Sequence, residues 1–332
     1  MATKIIDKEN MREVINKSAG QFATGLDLAK NIKIQGTFKS VVICGMGGSA
    51  LPGDILSYLL LPKAPIYIHK DYNLPAVANE DSLVVCISYS GNTEETVSSL
   101  QECINKNITC VAIASGGKLG KIAEEHNIPL VKIPSGIQPR SATGYLFSAL
   151  IGTLINCNIV EDVSEEILNT AEELTKINTT LEKEGKILAK RLDKKIPLVY
   201  ASSVFQTIAK IWKIKFNENS KIPAFTNFFP ELNHNEMVGF TGVKKTSGLH
   251  LLIIKDSADH PRTIKRMELT SLLLKKKGVK TDFIETKQGT LMFRMFSSLL
   301  LGDWVSYYLA INNNIDPTPV DMVEEFKVLL NK

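Results

Sequence analysis

Several features that would mark a special environment are scarce or missing. The five cysteines are an odd number, and no two of them follow the C-x-x-C spacing of a metal or redox pair. Cys44 and Cys86 sit inside apolar, strand-like runs and read as buried thiols. Histidines number five, and no pair has metal-ligand spacing with an acid nearby, so no metal site is expected. Charge of one sign is not in excess. The 39 basic and 35 acidic residues leave +4, too weak a balance to argue for a nucleic-acid partner. The lysines at 194–195, 244–245 and 275–277 form short clusters without interleaved aromatics and read as solvated faces. Long hydrophobic runs are also absent. Residues 291–311 come closest to a membrane span, but Arg294 and Asp303 interrupt them, which predicts a packed helix instead. The opening MATKIIDKENMREV lacks an apolar h-region, so no secretory signal is expected and the default location is the cytoplasm.

What is present is an ordinary globular composition, 44% apolar and 22% charged over 332 residues. At roughly 150 residues per domain this length suggests about two domains. The mild positive balance suits a small anionic substrate. Residues 8–32 read as one amphipathic helix. Strand-like runs at 40–45, 65–69, 83–89, 109–114 and 129–133 alternate with helical stretches at 49–60, 93–105 and 118–126. That alternation predicts a doubly wound parallel sheet, whose ligands bind beyond the carboxyl ends of the strands. A charged stretch over about 160–190 follows, either one linking helix or a helix pair. The pattern then restarts, with strands at 197–202, 250–255 and 280–285 and helices at 203–217, 261–277, 289–312 and 319–331. The second half reads as a shorter, looser copy of the first. The expected organisation is a first domain over 1–158, a helical connector over 159–192, and a second domain over 193–332 that ends in a C-terminal helix.

Two loops carry the chemistry. The first is GMGGSA at 45–50, between a core strand and a helix, where Gly47, Gly48 and Ser49 form an anion cradle at a helix start. It also matches the dinucleotide fingerprint G-x-G-x-x-A, and Asp71 could pose as the ribose-binding acid. The second loop is SYSGNTEET at 88–96. Ser88, Ser90 and Thr93 put three hydroxyls around a glycine at the next helix start. A dinucleotide fold needs no such nest, whereas a phosphomonoester accepts several short hydrogen bonds from one. Thr93 as a plain N-cap would explain one hydroxyl but not three.

These residues resemble the sugar isomerase (SIS) domain, whose S-x-S-G-x-T loop holds a sugar phosphate. PRSATGY at 139–145, ELNHNE at 231–236 and DPTPV at 316–320 extend the resemblance along nearly the whole chain, to the bifunctional phosphoglucose/phosphomannose isomerases. The resemblance implies a fold of two SIS-type, flavodoxin-like parallel-sheet domains. It implies interconversion of glucose 6-phosphate and fructose 6-phosphate through a cis-enediolate, with mannose 6-phosphate a second candidate substrate and no cofactor.

The resemblance also implies site residues. Glu218, in NENS at 217–220, takes the place of the base that carries a proton between C1 and C2, sixteen residues before the ring-opening histidine, His234. Glu231 is the rival base. Arg140 would steady the enediolate with a permanent charge, and Lys327 would reach the sugar ring. The family's dimers carry this histidine to the neighbouring subunit's site. Members using both epimers tend to have a threonine seven residues before the lysine. Here that position is Val320, and Thr318 lies two residues off. Three readings compete with this one: a sugar-phosphate sensor without turnover, an isomerase of another phosphosugar, and a nicotinamide-dependent oxidoreductase built on the first loop.

Overall fold

In the computed structural model the described residues are 6–242, 246 and 248–330. The lysines at 244 and 245 therefore lie outside the described residues. The chain divides into two compact units, Asn16–Thr175 and a second made of Met1–Ile15 with Lys176–Lys332.

Two helices open the chain, α1 (Met11–Asn16) and α2 (Gly20–Ala29). The first unit continues through β1 (Ser40–Cys44), α3 (Leu51–Leu59), β2 (Ile66–His69) and β3 (Ser82–Ser88). It ends with α4 (Glu94–Lys106), β4 (Cys110–Ala114), α5 (Gly117–Glu125), β5 (Leu130–Lys132) and α6 (Thr143–Asn156). Its five strands are all parallel, in the order β2-β1-β3-β4-β5. Every residue of β1, β3 and β4 is buried. Helices cover both faces of a parallel sheet, so its inner strands read as continuous apolar runs. The order is the flavodoxin-like one and not the 3-2-1-4-5-6 order of dinucleotide-binding sheets. The fold thus removes the support that the first loop's fingerprint gave to a nicotinamide enzyme.

The division between units falls within α7 (Ser164–Arg191), a single 28-residue helix. The second unit then runs through β6 (Ile196–Ser202), α8 (Gln206–Glu218), β7 (Phe225–Phe229), α9 (Glu236–Gly239) and β8 (Leu249–Lys255). It closes with α10 (Pro261–Lys276), β9 (Lys280–Glu285), α11 (Leu291–Asn312) and α12 (Asp321–Leu330). This sheet is also parallel, ordered β7-β6-β8-β9. It repeats the first sheet's order without a fifth strand, so the expected shorter copy is a copy of topology.

Three local expectations need correcting. The stretch 8–32 is not one helix: turn bonds from Gly20 N to Lys17 O (3.1 Å) and from Gln21 N to Ser18 O (3.1 Å) separate α1 from α2. Serine and glycine are weak helix formers, and the two helices belong largely to different units. Strand β7 was not expected; it is an edge strand, with Phe225 exposed and only Phe229 buried. Helix α6 was also not expected, because its eleven buried residues fill most of its circumference and leave little periodicity to read.

Residues 291–311 form most of α11, which is buried along much of its length. Its Asp303 pairs with the buried Lys215, and its Trp304 donates to Asn178 at 2.8 Å. No described helix is long and apolar enough to cross a membrane. The N-terminal segment is anchored in the same unit. The buried Asp7 carboxylate accepts from Met11 N at 2.7 Å and from Tyr307 Oη at 3.1 Å. Arg12 pairs with Glu182 at 2.8 Å.

Candidate active site

In a sheet ordered 2-1-3-4-5, the crevice opens where strand order reverses, between β1 and β3. The loops after these two strands are the glycine-rich loop and the hydroxyl-rich loop. Ser49 joins them: it is buried, and its Oγ accepts from Tyr89 N at 3.0 Å. Gly47 has φ +50° with open space where a side chain would start. A Cβ on Gly48 would lie 3.1 Å from the backbone of both Pro139 and Arg140, so its absence lets the Arg140 turn close on the first loop.

The second loop is tightly determined. Ser88 Oγ lies 2.9 Å from Thr93 Oγ1 and accepts from Gly91 N at 3.1 Å. Ser90 is exposed and accepts from Asn92 N at 3.2 Å. Thr93 occupies the N-cap position of α4, yet its hydroxyl makes no capping bond. The plain-cap reading of that residue therefore does not hold. Gly91 has φ +71°, and a Cβ there would come within 1.7 Å of Gly116 O. Ser115, at the end of β4, donates to Tyr89 O from both N (2.9 Å) and Oγ (2.7 Å).

Arg140 is 1% exposed, in a short turn over Pro139–Ser141. Its Nη1 donates to Gln138 Oε1 at 3.3 Å. Two residues missed in the sequence hold this turn. Tyr89 Oη accepts from Ile137 N at 3.2 Å, and burial pushes that phenol's pKa up. Gln21 donates to Ser141 O at 2.8 Å and accepts from Gly144 N at 3.1 Å. The first unit thus brings Gly47, Gly48, Ser49, Ser88, Ser90, Thr93 and Arg140 to one end of its sheet.

In the second unit, Glu218 is the last residue of α8 and is half-buried. A carboxylate at a helix C-terminus faces the unfavourable end of the macrodipole, so stability alone does not explain it. Its neighbours fix it. Asn217 donates to Ile222 O at 2.9 Å, Asn219 to Ser306 Oγ at 2.9 Å, and Ser220 to Ser306 O at 2.8 Å. Lys221 donates to Glu218 O and to Pro317 O, which draws the segment over 316–320 to the same place. In that segment Thr318 is buried and Val320 half-buried.

His234 is exposed at the end of a short turn over Glu231–His234. Neighbouring residues again hold the turn: Leu232 is fully buried, Asn233 donates to Thr270 at 2.9 Å, and Glu236 accepts from Tyr200 and Asn227. Burial and the Glu236 carboxylate both push the Tyr200 phenol up. Glu231, the rival base, is exposed and accepts from Asn235 at 3.0 Å. Glu218 precedes the amino end of β7, and His234 follows its carboxyl end. Five strand residues span about 16 Å, so the structure does not bring these two residues of one chain together. Lys327 is on α12, a helix with no buried residue, and pairs with Glu324 at 2.7 Å.

The second sheet has its own reversal point, between β6 and β8. There Asp256 is buried and accepts from Arg294 Nε at 2.7 Å and Thr286 at 3.1 Å. Burial pushes the nearby Asp259 carboxyl up. Acids and an internal ion pair stand where the first sheet carries hydroxyls, a poor setting for a phosphate.

The family model for the bacterial phospho-glucose isomerase C-terminal SIS domain matches residues 181–330. The chain is 39% identical over 329 residues to the bifunctional phosphoglucose/phosphomannose isomerase of Caldicellulosiruptor bescii, covering 96% of each chain. It is 35% identical to the protein of the same description in Aquifex aeolicus, covering 92% of this chain and 94% of that one. A solved structure of a hypothetical protein from Thermus thermophilus superposes with a TM-score of 0.72 at 14% identity, over 99% of this chain and 89% of that one. That likeness concerns the fold alone.

Proposed function

The chain belongs to the bifunctional phosphoglucose/phosphomannose isomerase family, and on that premise we propose that it interconverts glucose 6-phosphate, mannose 6-phosphate and fructose 6-phosphate. The observation that carries the reading is the hydroxyl nest of Ser88, Ser90 and Thr93 at the reversal point of the first sheet. The phosphate sits in that nest and on the first loop at Gly47, Gly48 and Ser49. His234 protonates the ring oxygen and takes the hydroxyl proton, which opens the ring. Glu218 removes a proton from one of C1 and C2 and returns it to the other. Arg140 neutralises the enediolate between these steps, and Lys327 contacts the sugar ring.

A homodimer completes the reading, with His234 serving the neighbouring subunit's site. Two observations support it. Glu218 and His234 of one chain flank opposite ends of β7. The exposed apolar side chains Leu269, Leu272 and Leu273 on α10, and Met322 and Phe326 on α12, are surface that a second copy would cover. The reading takes the cytoplasm as the place of action.

The test is a coupled assay with all three sugar phosphates, run beside Glu218→Gln. Turnover should fall by about 100- to 10,000-fold in the variant while substrate still binds. A wild-type protein that binds these sugars and turns none over would sink the isomerase reading in favour of a sensor. A threonine restored in Val320→Thr should raise the mannose 6-phosphate rate relative to the glucose 6-phosphate rate.

A further inference from the structure

A cleft of about 720 Å³ opens in the second unit beside the amino ends of β8 and β9. It contains no residue assigned to the isomerisation. It lies on the β8–β9 side of the sheet, whereas Glu218 leads into β7 at the opposite edge. Four cations line it, Lys190, Arg191, Lys275 and Lys280, against Asp193 and Asp282. Arg191 holds Asp282 Oδ1 at 2.7 Å. Among the described residues, Lys190, Lys275 and Lys280 enter no ion pair. The cleft therefore carries more positive charge than its own acids neutralise.

Its wall is built of more than surface lysines. His250 is 2% exposed, and its Nε2 lies 2.8 Å from Asp282 Oδ2. Together with Arg191 this makes a chain from an exposed guanidinium through a carboxylate to a buried imidazole. His250 Nδ1 and Thr281 Oγ1, on two lining residues, are buried with no hydrogen-bond partner among the described residues. Buried polar atoms are ordinarily satisfied, and exceptions concentrate where a ligand, ion or water belongs.

We propose that this cleft is a second anion site, which takes a doubly phosphorylated, non-nucleotide ligand. Three unpaired lysines with a guanidinium exceed what one phosphate requires. The volume falls within the range of small-molecule sites. Among the described residues, the lining includes no phenylalanine, tyrosine or tryptophan on which a nucleobase would stack. An anion held there lowers the potential around the Arg191–Asp282–His250 chain and favours protonation of the imidazole, which burial otherwise disfavours.

Inorganic pyrophosphate is a suitable probe of the full-length protein. The His250 imidazole resonance, assigned by its loss in His250→Gln, should shift on titration and keep shifting when the catalytic site is saturated with fructose 6-phosphate. In the double variant Lys190→Gln/Lys280→Gln the midpoint should rise at least tenfold, with isomerase activity unchanged. A His250 resonance that does not move, or moves equally in the double variant, overturns the proposal. So does a shift abolished by fructose 6-phosphate, because the anion would then be binding at the catalytic site.

Discussion

At Gly91, conformation and space act together. A side chain there would need φ +71° and would collide with Gly116 O. Positive φ at a non-glycine costs about 1–3 kcal/mol, and the collision adds to it. Gly91→Ala should therefore lower the unfolding midpoint and raise KM together, as a denaturation curve and a substrate titration would check. Ser88→Ala or Thr93→Ala should behave differently. Each would remove a donor to the proposed phosphate, worth about 1.5–3 kcal/mol, so KM should rise by tenfold or more while kcat changes little. Equal losses in kcat would move these hydroxyls from the phosphate to the reacting carbons. His250 sets a pH dependence. Burial holds its pKa below the ordinary value of about 6.5. Between those two values the unfolded chain binds the extra proton, so stability is fully present above about pH 6.5 and falls as pH drops towards the folded value. Unfolding midpoints measured between pH 7.5 and 5 should show a steeper loss in the wild type than in His250→Gln.

At the scale of the element, the side chains proposed to act are held by the residues beside them. Ser306, well into α11, fixes the end of α8 through Asn219 and Ser220. Ser306→Ala should cost about 1 kcal/mol of stability. It should also lower kcat more than it changes KM, because Glu218, the proposed base, would lose its fixed position. A variant with unchanged kcat would show that α8 needs no such support. None of this was legible in the sequence, because partners so far apart along the chain leave no local signature. The same holds for Tyr89 with Ile137 and for Gln21 with Ser141. Buried inner strands and glycine-rich loops were legible because their signals are local: an unbroken apolar run, and a glycine before a helix. Strand β7 was not, because Thr226 and Asn227 interrupt its apolar pattern at a half-exposed edge. The resemblance pointed to Glu218 and His234, but only the topology shows that β7 separates them.

At the scale of the whole molecule, one strand order occurs twice and only the first copy carries the hydroxyl-rich loop at its reversal point. The proposed exchange of His234 between subunits makes a numerical prediction. Glu218→Gln and His234→Ala should each be inactive alone. Equal mixing after dissociation gives half mixed dimers, each with one intact site, so activity should return to about a quarter of the wild-type value in a two-fold dimer. No recovery would mean that both residues serve one chain's site.

The bond between Asp7 and Tyr307 joins residues 300 positions apart, and it sets an order of events during synthesis. Residues 6–15 leave the ribosome long before the surface they close on has been made. At roughly 5–20 residues per second, that wait is about 15–60 s. Through it, Asn16–Thr175 can already be folded while the opening segment hangs unpartnered ahead of it. A nascent chain stalled before Tyr307 should therefore be cut by protease within residues 6–15, and a released chain should not.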